Sequence, residues 1–148
     1  MNHSPSPLLP LRRIGALLAG LIVTGVLSVG TDALMRAAGF FPPLPGSGPV
    51  MSDGLFAFAA LYRVIYGILG CAVAARLTPD RPMLHALILS GVGLLLSAVG
   101  TVATWNKGPE FGPKWYPLSL IVTVVPGGWV GGLWGERLRA RGTTPQAS

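Results

Sequence analysis

The stretch GLFAFAALYRVIYGILGCAVAAR, Gly54 to Arg76, decides the fold. It stays apolar over the roughly 20 residues that an α-helix needs to cross about 30 Å of hydrocarbon. Only Arg63, flanked by Tyr62 and Tyr66, places a charge between its ends. An ionisable group at that depth marks a functional site by default, because an unpaired charge in hydrocarbon is costly. Counted from Gly54, Arg63 lies about 13–14 Å in at 1.5 Å per residue, close to mid-membrane.

Three more blocks of this kind fill most of the chain. Of its 148 residues 51% are hydrophobic and 11% charged, with a mean hydropathy of +0.60; an ordinary soluble domain is about one-quarter charged. The four spans fall at about 14–33, 54–76, 83–104 and 117–134. The expected fold is an all-α integral membrane protein, its four transmembrane helices forming an antiparallel bundle. Residues 1–13 read as a disordered cytoplasmic tail and residues 136–148 as a basic cytoplasmic tail. A signal peptide competes for the first span, but the run from Ile14 to Gly30 outlasts the roughly 7–15 residues of a signal core, which favours a retained anchor. Residues 39–53, with four prolines and three glycines, form the longest loop. The short turn at 78–82 brings span three back beside span two. A second loop at 105–115 is bracketed by Trp105, Trp115 and Tyr116, an interfacial aromatic belt.

Charge sets the orientation. Arg12, Arg13, Arg76, Arg81, Arg137, Arg139 and Arg141 lie on one side, against Arg36, Lys107 and Lys114 on the other. The positive-inside rule then puts both termini in the cytoplasm of a bacterial inner (plasma) membrane. The net charge of +6 sits at helix ends rather than on one face, so it reports topology and not nucleic-acid binding. The lipid bilayer is the expected surround.

Weak internal similarity suggests two duplicated helical hairpins. Val29-Gly30-Thr31 matches Val99-Gly100-Thr101, and Arg76-Leu77 matches Arg137-Leu138 with Gly70 against Gly131. Chance coincidence of small and apolar residues explains the same matches.

Around Arg63 the helical period places Phe56, Ala59, Gly67, Gly70 and Ala74 on one face and Leu61, Ile65, Ile68 and Leu69 on the other. Arg63 therefore points into the bundle, beside small residues that allow close helix approach. Asp32, at the end of span one, is the expected partner, since the Arg63 side chain leans towards the N-terminus of its helix. Tyr62 and Tyr66 add hydroxyls to this candidate binding site. In the rival pairing Asp32 bonds Arg36 one turn away, leaving Arg63 to Glu110 or water.

Span four reads Pro126-Gly-Gly-Trp-Val-Gly-Gly-Leu-Trp-Gly135. Gly127, Gly131 and Gly135 form one small-residue ladder, and Gly128 with Gly132 a second; with Gly67 and Gly70 these are the packing candidates. Two ladders suit an internal neighbour and a second copy or another membrane protein. Pro126 predicts a kink, or a broken helix with free carbonyls.

No Ser-His-Asp set, carboxylate pair, zinc spacing or phosphate loop is present, so no catalytic residue, metal ligand or cofactor is assigned. His85 reads as an interfacial side chain, and Cys71 is a lone cysteine. The expected function is a structural or partner-interaction subunit of the membrane. The alternative is a small channel or transporter for an anion or polar solute with Arg63 as its binding charge. An enzyme comes third. A cavity reaching Arg63 discriminates between the first two.

Overall fold

The computed structural model describes residues 8–42 and 50–142; the readings that fall on residues 1–7, 43–49 and 143–148 lie outside the described residues. Four helices run in the order α1 (Leu8–Ala37), α2 (Asp53–Leu77), α3 (Pro82–Thr104) and α4 (Trp115–Gly142), with one 3₁₀ turn at Pro109–Phe111. Each is long and apolar enough to cross a membrane.

Two helix ends correct the sequence reading. α1 begins at Leu8 rather than near Ile14. Pro10 sits in its first turn, where a missing N–H removes no intrahelical bond. α4 continues to Gly142, so Glu136–Arg141 is helix rather than tail, and its basic last turn suits the negative end of the helix dipole. α4 also continues as helix through Pro126, where the proline leaves the Val122 carbonyl without its usual N–H donor. Ser52 caps α2, its hydroxyl accepting from the Leu55 N–H. Arg81 adopts a left-handed φ of 44° to turn the chain into Pro82 at the start of α3.

Contacts fix how the helices run against one another. α1 and α2 meet at Gly20 with Gly70, Thr24 with Tyr66, and Asp32 with Arg63, in opposite directions. α3 and α4 do the same through Ala86 with Gly132 and Ser90 with Gly128. α2 and α4 run in the same direction, joined at Ile68 with Gly127, Cys71 with Gly131, Ala75 with Gly135, and Thr78 with Arg139. The sequence separation of Thr78 and Arg139 is 61, the offset at which spans two and four resemble each other.

The interior is built from small residues. Ala59, Ala72, Ala74, Ala75 and Ala86 are buried, whereas Leu34, Leu61, Leu95, Val99, Val102 and Val122 are exposed. Bulk outside and small side chains inside reverse the water-soluble pattern and suit lipid, where close backbone approach supplies the packing energy. A Cβ added to Gly20, Gly131 or Gly135 would lie 2.5 Å from the carbonyl oxygen of Gly70, Ile68 or Ala72 respectively. Gly70 is equally closed, against Thr24 and Gly20.

Both glycine ladders of α4 are consumed inside the fold. Gly131 and Gly135 face α2, while Gly128 and Gly132 face Ser90, Met83 and Ala86 of α3. This corrects the expectation that one ladder is left for a second copy. Gly67 is corrected as well: a Cβ there meets nothing within 4 Å, so it borders open space rather than a neighbour. Ile68 faces α4 instead of lipid.

One end of the molecule is clasped by two arginines. Arg13 of α1 makes a two-point ion pair with Asp80, at 2.9 and 2.5 Å. Arg139 of α4 donates to the carbonyls of Thr78 and Pro79 at 3.0 and 2.6 Å. The turn between α2 and α3 is thus tied to both outer helices. The Arg13 guanidinium holds the Asp80 carboxyl below the usual carboxylate range, chiefly by hydrogen bonding. His85 is buried here, its Nδ1 at 3.0 Å from the Arg81 carbonyl.

Candidate functional site

Arg63 occupies α2 near its middle, on the face that holds Phe56, Ala59, Gly70 and Ala74, all four buried. Its side chain leans towards the start of α2, the direction helical side chains prefer. There Nη2 donates to Oδ2 of Asp32 at 2.6 Å. The side chains remain 29% and 15% exposed respectively, so this ion pair is only partly withdrawn from its surroundings. Asp32 pairs with Arg63, not with Arg36.

Two tyrosines complete the cluster. The Tyr62 hydroxyl donates to Oδ1 of Asp32, and Arg63 Nη1 donates to the Tyr116 hydroxyl. Both carboxylate oxygens of Asp32 are therefore engaged, one by a charge and one by a phenol. The Arg63 Cζ also lies 5.4 Å from the Tyr62 ring centroid and 5.9 Å from that of Tyr116, within cation–π range. Phe56 packs on Tyr116 at 5.2 Å between centroids. Arg63 thus links α1, α2 and α4.

Tyr66 does not join this circuit. Its hydroxyl pairs with Oγ1 of Thr31 at 2.9 Å. Its ring lies 5.6 Å from that of Tyr62. The expected contribution of Tyr66 to Arg63 is thereby corrected to a separate link between α1 and α2. Glu110 makes no ion pair with Arg63.

The member that sequence reasoning missed is Tyr116, read as part of an aromatic belt. Its signal appears only once the packing of α4 on α2 is known. Gly131 lies against Cys71 and Gly135 against Ala75, and the same separation sets residue 116 beside Phe56, which shares the helical face of Arg63. Thr31 carried no such signal.

Cavities flank the cluster on both sides. One of about 170 Å³ is lined by Asp32, Arg36, Phe41, Arg63, Glu110 and Tyr116, among others. The second, about 290 Å³, lies between the four helices and is lined by residues that include Thr24, Arg63, Gly67, Leu89, Ser97 and Thr123. Arg63 is the one residue shared by the two linings. Of its five N–H donors, two have protein partners among the described residues. The remaining three have no protein partner among the described residues.

Cys71 is buried with its sulfur 3.6 Å from the Ser90 hydroxyl. Among the described residues no three His, Cys, Asp or Glu side chains group together as a metal site would require. Comparison of the chain with protein-family models, with curated proteins and with solved structures finds no match.

Proposed function

We propose that the chain is an antiparallel four-helix bundle in a bacterial inner membrane, with both termini in the cytoplasm, and that it binds a small solute at Arg63 during passage through or into the bilayer. The reading rests on one observation: Arg63 borders a cavity on each side of its ion pair. A charge that served packing alone would be enclosed, since each exposed surface it keeps forfeits contact with its neighbours. Here the guanidinium retains three donors and faces open volume in two directions. The pair with Asp32 lowers the cost of a cation at this depth, about 2.5–3.5 kcal/mol for an unpaired one. Tyr62 and Tyr116 hold the two groups in place, so a solute meets a fixed polar layer between two chambers.

The cavity beside Asp32, Arg36 and Glu110 carries charges of both signs, which suits an antechamber for polar or anionic solutes. Passage then requires that the Arg63–Asp32 contact open or that a solute group replace Asp32 on the guanidinium. The test is uptake or efflux of a panel of anions, from chloride to decanoate, by liposomes containing the purified protein. At least one anion should move or bind, and the double substitution Arg63→Leu with Asp32→Asn should abolish it. Liposomes no more responsive than protein-free ones across the panel would refute the reading.

A second reading has its own support. Tyr62, Asp32, Arg63 and Tyr116 bond in a continuous chain across three helices. That arrangement suits a structural or partner-binding subunit held rigid by its buried pair. Under this reading the same double substitution leaves every anion response unchanged, and a partner co-purifies from native membranes.

A further inference from the structure

The larger cavity has features that narrow the ligand, on the premise that Arg63 is a binding charge. Its walls are mainly apolar: Leu21, Val64, Leu89, Leu96, Leu120 and Val124 contribute from all four helices. Most of its hydroxyls already have acceptors. Thr24 donates to the Gly20 carbonyl at 3.0 Å, Ser90 to that of Ala86 at 3.0 Å, and Thr123 to that of Ser119 at 2.7 Å. Such bonding turns the hydroxyls towards their own helices and leaves methyl and methylene groups facing the space.

One charge lines this chamber, and it is Arg63; Asp32 and Glu110 belong to the other cavity. The guanidinium therefore presents an electropositive end to a chamber with no carboxylate. A small hydrated anion would exchange most of its water for hydrocarbon here, at a cost that three N–H donors do not offset. A cation would meet Arg63 with no counter-charge.

The opening is equally specific. The exposed members of the lining, Leu21, Gly25 and Leu96, all lie on α1 and α3. In a bilayer that mouth faces acyl chains, so a ligand reaches the cavity sideways from lipid.

We infer that this cavity holds an anionic amphiphile, its apolar chain between α1 and α3 and its acidic head on the free N–H groups of Arg63. The volume of about 290 Å³ accommodates roughly ten water-sized groups at about 30 Å³ each, which matches a chain of roughly ten carbons. Ser28 and Ser97, whose side-chain hydroxyls have no protein partner among the described residues, stand on the same lining to meet polar atoms of the head. A free fatty acid and an anionic phospholipid share this chemistry.

The experiment is calorimetric titration of the full chain in phosphatidylcholine nanodiscs, with protein-free discs subtracted, using acetate, hexanoate, decanoate and decyltrimethylammonium. Affinity should rise with chain length, by up to about fourfold per methylene, and level off near roughly ten carbons. Gly67→Leu fills the cavity from a position with nothing within 4 Å, and should weaken decanoate at least about tenfold. Arg63→Gln should weaken decanoate as well. Equal affinity for acetate and decanoate overturns the inference and leaves the anion reading standing; no binding by any acid overturns both. Decyltrimethylammonium binding as tightly as decanoate also overturns the inference. Loss of decanoate binding in discs containing phosphatidylglycerol identifies the bilayer lipid as the source of the ligand.

Discussion

Removing one member of the Arg63–Asp32 pair should cost more than removing both. Breaking a buried pair by deleting one partner typically costs about 3–5 kcal/mol, because the other charge is stranded. Arg63 keeps 29% of its side-chain surface exposed and Asp32 keeps 15%, so hydration from the cavities offsets part of that. About 2 kcal/mol is expected for Arg63→Leu or for Asp32→Asn alone. In the double variant no charge remains buried, and the loss falls to about 1 kcal/mol, the scale of the vacated hydrogen bonds to Tyr62 and Tyr116. Summed singles therefore exceed the double by about 3 kcal/mol, at the upper end of couplings measured between neighbouring groups. The assay is reversible unfolding in mixed micelles, followed by tryptophan fluorescence, for the four proteins of the cycle. Singles that cost under about 0.5 kcal/mol and add in the double would refute a coupled pair, and with it the placement of Asp32 against Arg63.

Further expectations concern packing, the clasped turn and orientation. Gly131→Ala puts a methyl against the Ile68 carbonyl and should destabilise by about 1–3 kcal/mol; Gly30→Ala meets nothing within 4 Å and should stabilise by up to about 1 kcal/mol through helix propensity. Thermal unfolding in detergent measures both. Asp80 has a depressed pKa. Its contribution is therefore complete above the unfolded value of about 3.9 and lost as pH falls through the lower folded value. Amide exchange near Arg13 should rise over that acid window, and Asp80→Asn should remove the pH dependence. A reporter fused after Ser148 should be active only on the cytoplasmic side; periplasmic activity would reverse the orientation.

Four long apolar helices and the inward face of Arg63 were legible because hydropathy and the 3.6-residue period are local properties. Asp32 was nameable because side-chain lean and loop order leave few carboxylates within reach. The ends of α1 and α4 were misplaced because an apolar run and a helix end for different reasons. A helix stops only where its hydrogen bonding does, and Pro10 and Glu136–Arg141 both permit helix beyond the apolar run.

The chain by itself determines that four apolar helices exist, that one carries a charge near its middle, and that glycine and alanine supply close packing. Tertiary structure alone decided how those features are used. Which glycines meet a backbone depends on helix rotation and partner, so Gly131 is closed against α2 while Gly67 opens on a cavity. The parallel register of α2 and α4 brings Tyr116 to Arg63 across 53 residues. The space on either side of Arg63 is a property of four helices together, and no single segment encodes it.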